Sequence, residues 1–421
     1  MNSNLKLQCE VCKNVVLLKV YGGYVHENSF TFSCPKCNVT VSGYLIWNEN
    51  LDEGMVKEFK CKNATYVHEG SPTHVLQLAT EFFTDKIKQF DPNDITSFFP
   101  PYMLEVSKSR ATQQKKTELV SMVSDGFENE ANISFRIWEL YKNNKHAFLI
   151  SQLIQNEYVK KPTYALENLK IDYSDIIKQV LYRPFSFLFI EDYYRIQDLQ
   201  KKLLQLKSKN LTELQSLKKD LSELITYSDE NIIQLLKNFS IYFELLWPII
   251  LTYICGPKEI DKIKETKGIL TTNFDMLKNY YVESFEILSS ILPIFLGIQN
   301  IYLRGNRNDF ETETAREFKD IHTINEYNTK MQNKGNRLKY FTKENIFLPL
   351  LDPNTLNNSI RNSIGHHSYE YEADNQLIKF NDRSKSWDLY LIEFGDLLFK
   401  TIYTAFAAFE IIMFLKHEVP E

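Results

Sequence analysis

Ser359-Ile360-Arg361-Asn362-Ser363-Ile364-Gly365-His366-His367 is the stretch on which the reading of this chain turns. It places a fixed cation, a carboxamide and two imidazoles close together, at what reads as the end of a short helix. Asp352 is a good N-cap, Pro353 suits a first helical position, and Leu356, Ile360 and Ile364 recur every four residues as a buried stripe. Gly365 falls where the helix must stop, because glycine takes positive φ without strain. In an unbroken helix, five steps of roughly 100° would leave Arg361 and His366 about 140° apart. A break at Gly365 is therefore expected if both side chains are to reach one substrate.

These residue types suit phosphodiester chemistry. Arginine stays charged and grips a phosphate through two parallel hydrogen bonds, while histidine titrates near neutrality and can take or give a proton. Asn362 can orient either one. RNA carries its own nucleophile in the 2′-hydroxyl, so a base, an acid and charge stabilisation suffice without a metal. Arg361, the polar Asn362 after it and His366 at x4, with His367 admissible at x5, resemble the Arg-x4-6-His signature of the HEPN superfamily, which includes metal-independent RNases of toxin and anti-phage systems. The resemblance implies a helical bundle that dimerises so that two motif copies meet in a cleft and cut RNA. In it Arg361 would neutralise the scissile phosphate, His366 would act as base or acid, Asn362 would orient, and His367 would be the reserve proton carrier. A hairpin is expected after the motif, with Tyr369 and Tyr371 facing one way and Ile378 and Phe380 likewise, around Asp374-Asn375. A plainer reading stands beside this one: Arg and His at a helix C-terminus are also what the helix dipole favours, and a Gly-His turn can be mere capping.

The N-terminus carries a second local signal. Cys9-Glu10-Val11-Cys12 and Cys34-Pro35-Lys36-Cys37 are two CxxC knuckles separated by residues 13–33. Four thiolates at this spacing suit tetrahedral zinc and resemble a zinc ribbon. Strands are expected over Val15 to Val20, Ser29 to Ser33 and Val39 to Ile46, with a turn at Gly22-Gly23. A site closed by four cysteines leaves no position for catalysis, so structural zinc is the expectation, with no cofactor for the chemistry. Lys6, Lys13, Lys19 and Lys36, with Tyr21, Tyr24 and Phe32, are compatible with nucleic-acid contact and equally with a solvated face. Cys61, His68 and His74 fit no standard second metal site.

At 421 residues, 43% hydrophobic and 24% charged, the chain can bury a large core and divide into two or three domains. A formal charge of −5 argues against a broadly basic coat, so RNA contact has to be a local patch. The clearest one is Lys330, Lys334, Arg337, Lys339 and Lys343, interleaved with Tyr340 and Phe341 and with no acid among them. Rings in such a patch could stack on bases. The expected class is mainly α, with a small β zinc ribbon at the N-terminus and a C-terminal HEPN-like helical bundle. The expected divisions are a ribbon at 1–75, an irregular segment and linker at 76–116, a helical middle region at 117–228 and the HEPN-like domain at 229–421.

Three long helices are read in that last region: one over about Asn231 to Ile254, one from Asn273 through Phe295, and a C-terminal one with Leu391, Leu398, Ile402, Ala405, Phe409 and Ile412 along one side. A leucine stripe at Leu199, Leu203, Leu206, Leu214, Leu217, Leu221 and Leu224, slipping phase near Asn210, suggests an amphipathic helix pair or a short coiled-coil arm. Charges interrupt the apolar helices, so no membrane span is expected. The N-terminus runs straight into a cysteine knuckle instead of an apolar leader, and a cytoplasmic location is expected. Walker, dinucleotide, GxSxG and HExxH motifs are absent. What the HEPN resemblance implies is an RNA endonuclease in growth arrest or phage defence, homodimeric through its bundle, with an antitoxin or other regulatory partner. The alternative is a non-catalytic zinc-ribbon adaptor, binding nucleic acid or protein, on a helical dimerisation scaffold.

Overall fold

The computed structural model describes residues 2–21, 27–48, 56–79, 83–94, 127–159, 173–189, 193–255, 260–272, 274–383 and 385–421. The turn at Gly22-Gly23, Tyr24, residues 95–116 of the expected irregular segment and linker, and the start of the second long helix at Asn273 lie outside the described residues. The chain forms two compact units, and each draws on three separate stretches. The first takes Met1–Thr117, Tyr242–Phe285 and Asn357–Thr401; the second takes Glu118–Ile241, Glu286–Leu356 and Ile402–Glu421. The units cut across a sequential division, because the helices Ser222–Cys255, Phe274–Ser290 and Leu391–Met413 each supply residues to both.

The first unit begins with β1 (Asn2–Cys9), β2 (Val15–Tyr21), β3 (Glu27–Ser33), β4 (Thr40–Trp47), β5 (Val56–Lys62), β6 (Ala64–Tyr66), β7 (His74–Ala79), β8 (Thr84–Asp85) and β9 (Lys88–Gln89). One sheet has the order β6-β1-β2-β7-β9, with β2 and β7 parallel, and β3-β4-β5 form a second, antiparallel sheet. Alternate side chains fill a shared core. Leu7, Val16, Leu18, Val20, Leu76 and Leu78 come from the first sheet, and Phe30, Phe32, Val41, Leu45 and Trp47 from the second. Gly43 is required where β4 lies between its neighbours: a Cβ there would stand 2.2 Å from the Lys60 carbonyl and 2.7 Å from the Phe30 ring. This is a larger β module than three short ribbon strands, and later parts of the chain complete it. Leu270 joins the core, and β10 (Lys267–Gly268) pairs with β8.

The rest of the first unit positions the motif. β11 (Tyr369–Glu372) and β12 (Leu377–Asp382) form the expected hairpin, pairing Tyr369 with Phe380 and Tyr371 with Ile378. A third strand, β13 (Lys385–Tyr390), extends the hairpin into a meander. Phe274 packs edge-on to Tyr369, Phe380 and Phe394, with centroids 5.0, 5.8 and 5.0 Å away. At the turn, Gln376 pairs with Ile269 like a strand residue, accepting from its N–H and donating to its carbonyl at 2.8 Å each.

The second unit is helical. Phe127, Phe185, Phe239 and Phe406 form one aromatic core, and Trp138 stacks edge-on to Phe409 at 5.9 Å. The leucine stripe breaks at Asn210, between the helices Tyr193–Lys209 and Leu211–Asp220. Leu199, Leu203, Leu206, Leu214 and Leu217 are all buried inside the unit. Leu217 packs so closely on Gly297 that a Cβ there would stand 2.3 Å from it. The stripe is thus a core seam of one chain. The helix expected to run from Asn273 through Phe295 is broken at Ile291 into Phe274–Ser290 and Leu292–Arg304, bent by 44°. Pro293 cannot continue the first helix and suits the opening turn of the second.

One helical run, Leu391–Glu418, is long and apolar enough to cross a membrane by length and composition, contrary to expectation, but 89% of its most apolar window is buried inside the structure. That is what a core helix of a globular protein also shows.

Residues 304–343 fold into three short helices, Thr312–Glu317, Ile324–Lys330 and Lys334–Lys339. Arg337 is 8% exposed and Tyr340 2%. The Arg337 guanidinium donates to the carbonyls of Met331 and Asn328 at 2.8 and 2.7 Å and to Ser289 at 3.3 Å, closing the end of the helix Phe274–Ser290. Arg337→Ala would strand those carbonyls and is expected to cost about 3 kcal/mol. Arg337→Lys should rescue it poorly, because an ammonium lacks the planar fork. Urea unfolding of both variants measures this; a loss below about 0.5 kcal/mol would refute it.

Candidate functional site

The motif helix spans Asn358–Gly365, and its N-cap is Asn357, not Asp352. The Asn357 side chain accepts from the N–H groups of Ser359 and Ile360 at 2.9 and 3.3 Å. Asp352 uses the same chemistry one step earlier, capping a turn by accepting from the Asn354 N–H at 2.9 Å. Buried Tyr281 fixes the cap from the helix Phe274–Ser290: its hydroxyl accepts from the Asn357 N–H at 3.0 Å and donates to the Asn357 carbonyl at 3.4 Å. Ile360 and Ile364 face the core as expected.

The helix ends differently from the sequence expectation. Gly365 is its last helical residue, and the left-handed position belongs to His367, at φ 53°. The His367 N–H donates to the Ile364 carbonyl at 3.1 Å and the Ser368 N–H to Ser363 at 2.8 Å, which is a Schellman turn. β12 secures this turn. The hydroxyls of Ser363 and Ser368 both donate to the Asn381 carbonyl, at 2.8 and 2.6 Å, and the Asn381 N–H returns a bond to the Ser368 carbonyl at 2.9 Å.

Around this turn the candidate residues gather. The Arg361 guanidinium lies over Gly365, its Nη1 being 4.0 Å from where a Cβ would stand. Arg361 Nη1 also donates to Asn362 Oδ1 at 3.4 Å, and Asn362 Nδ2 donates to Asp382 Oδ2 at 3.5 Å. His366 and His367 are exposed, and neither ring has a hydrogen-bond partner among the described residues. Asp382 is the group the sequence reading missed. His367→Gly is expected to stabilise the protein by about 1 kcal/mol, because a β-carbon at positive φ costs that much and glycine does not. Chemical denaturation measures it; a destabilised variant would refute the turn.

The second cluster is Cys9, Cys12, Cys34 and Cys37, whose sulfurs all lie within 4.8 Å of one another and could hold a metal ion. The two knuckles have the same backbone. Lys13 and Asn38 sit at φ 61° and 57°, and their N–H groups donate to the carbonyls of Cys9 and Cys34 at 3.0 and 2.9 Å. Sulfur separations of 3.6 Å for Cys9–Cys37 and 3.5 Å for Cys12–Cys34 suit a tetrahedral ion with metal–sulfur bonds of about 2.3 Å. The Asn14 backbone draws the Cys12 thiol down to about 7, whereas burial pushes Cys34 up to about 12. No second such group occurs among the described residues, and Cys61 stands apart, its thiol pushed up to about 11 by burial.

Of the ribbon's expected contact residues, Lys19, Tyr21 and Phe32 are buried, while Lys13 and Lys36 are exposed on the knuckles. The basic patch also changes in space. Arg337 and Tyr340 are interior groups, Tyr340 being enclosed by Phe310, Phe318 and Tyr327. Lys330, Lys334, Lys339 and Lys343 pair with Glu326, Glu286, Glu317 and Glu313. Lys330 holds the Glu326 carboxyl down at about 2. Tyr340 therefore offers no stacking face, and a phosphate would have to displace a carboxylate from each lysine.

No family model matches the chain, and no curated protein and no solved structure is similar to it.

Proposed function

We infer that the chain is a metal-independent RNA endonuclease of HEPN type, homodimeric through its helical part, with structural zinc at Cys9, Cys12, Cys34 and Cys37. The observation that carries this reading is the end of the motif helix, where Arg361 lies over Gly365 and a Schellman turn delivers His366 and His367 to solvent immediately beyond. His366 still donates its N–H to the Asn362 carbonyl at 2.9 Å, so the chain leaves helical spacing only at His367, later than the break expected at Gly365. In the reaction, an imidazole takes the 2′-hydroxyl proton as the 2′-oxygen bonds to phosphorus. The bond from phosphorus to the 5′-oxygen breaks, and that oxygen receives a proton from a second imidazole. Arg361 neutralises the pentacoordinate phosphate, His366 serves as base or acid, Asn362 orients, and His367 is the reserve proton carrier. Zinc closed by four thiolates supplies folding energy, not chemistry. Growth arrest or phage defence in the cytoplasm, restrained by an antitoxin or other regulator, is the setting the resemblance implies.

The rival reading is a non-catalytic adaptor that binds nucleic acid or protein through the ribbon. It draws on the unpartnered His366 and His367 rings, since a general base is usually oriented by a second group. In the nuclease reading that group comes from the second copy or from RNA. The test is paired substrates of one sequence, RNA and 2′-O-methyl RNA, given to the purified zinc-loaded protein. Cutting of RNA alone is expected; cutting of neither, or of both, would overturn the nuclease reading.

A further inference from the structure

We propose that Asp382 is a positioning residue of the Arg361–His366 site, acting through Asn362 to fix the guanidinium where the phosphate is held. This rests on the nuclease reading above. A guanidinium only donates hydrogen bonds and an ionised carboxylate only accepts them. A carboxamide between the two therefore has one consistent orientation, with its oxygen toward arginine and its amide toward the carboxylate. Asn362 is placed so, with Oδ1 3.4 Å from Arg361 Nη1 and Nδ2 3.5 Å from Asp382 Oδ2. Without Asp382, the carboxamide loses the acceptor that tells its two ends apart. Both bonds are long, as catalytic hydrogen bonds often are before substrate tightens them.

Two features argue that the carboxylate is there for more than stability. It lies against the last turn of the motif helix, where the helix dipole disfavours negative charge. The residue before Asp382 is also anchored to the motif turn: the Asn381 carbonyl accepts from both Ser363 and Ser368, and the Asn381 N–H donates to the Ser368 carbonyl. That clamp ties the end of β12 to the turn carrying His366 and His367, so the aspartate and the histidines keep one geometry.

The test is a double-mutant cycle of Asn362→Ala and Asp382→Ala, read as kcat/KM for RNA cleavage and as thermal melting. Each single variant is expected to lose about 10-fold in kcat/KM, and the double variant about 10-fold again in total, because the two residues act as one relay. Melting temperatures should stay within about 2 °C of wild type. Additive losses of about 100-fold, or no loss from Asp382→Ala, would overturn the proposal while leaving the nuclease reading intact. If wild type cleaves no RNA, the nuclease reading fails instead. The relay is then read from the Asn362 side-chain amide resonance, which Asp382→Ala must shift; an unshifted resonance would overturn it.

Discussion

Arg361→Ala and His366→Ala should each lower the rate of RNA cleavage by about 10²–10⁴-fold while leaving the fold intact. Both groups act on charge or protons that develop in the transition state, so kcat should fall more than KM rises. Arg361 sits on the partly exposed face of the motif helix, and alanine is a better helix former than arginine, so little stability is at stake. His366 is the exposed C-cap, and its N–H bond to the Asn362 carbonyl survives the loss of the ring. Arg361→Lys should recover only part of the loss, because a point charge replaces a two-pronged grip on phosphate. Two outcomes would remove these residues from the chemistry: variants that cut as fast as wild type, or variants whose loss of activity follows a loss of folded protein. His367→Gly makes a clean control, since it deletes an imidazole at a position that glycine prefers. If His367 is only a reserve, that variant should keep at least about a tenth of wild-type activity.

Stripping the metal, or replacing Cys37 with serine, should destabilise the first unit by at least about 4 kcal/mol, lowering its melting temperature by roughly 10 °C. An ion held by the four sulfurs would join the turns at the ends of β1 and β3, which are otherwise closed only by their own backbone bonds, Lys13 to Cys9 and Asn38 to Cys34. The apolar core of the two sheets does not substitute for it, because none of the four cysteines belongs to that core. Cys61→Ser provides the contrast, as Cys61 lies outside the cluster and should leave the metal content unchanged. Metal-to-protein ratio and thermal melts measured together decide this. One bound zinc per chain, lost in Cys37→Ser but kept in Cys61→Ser, is the expected result. A metal-free wild type of equal stability would refute it.

Local patterns in the sequence carried the knuckles and the hairpin, because each is set by residues near one another. Two CxxC pairs specify their own turns, and the alternation of Tyr369, Tyr371, Ile378 and Phe380 specifies the register found in β11 and β12. The motif helix was legible in its buried stripe but not at its ends. Asp352-Pro353 and Asn357 both carry N-terminal chemistry, and only the bond from Asn357 to Tyr281 selects between them. Gly365 looked like the terminator, yet the chain spends its left-handed position on His367. Contacts between distant residues were illegible. Asp382 reaches Asn362 only after the meander folds back. The acids that neutralise the basic patch come largely from outside it, with Glu286, Glu313 and Glu317 preceding every lysine of the set. A run free of acids in sequence is therefore not a free patch in space.

The most direct test of the central claim is the chemistry of the cut ends. The zinc-loaded protein would be incubated with a defined RNA in magnesium-free buffer with EDTA, its zinc content confirmed afterwards, and the products resolved by mass. Fragments ending in 2′,3′-cyclic phosphate and beginning with 5′-hydroxyl, formed by wild type and not by Arg361→Ala, are the result expected of attack by the 2′-hydroxyl. Ends carrying 5′-phosphate, cleavage only when a divalent cation is restored, or intact RNA would contradict it.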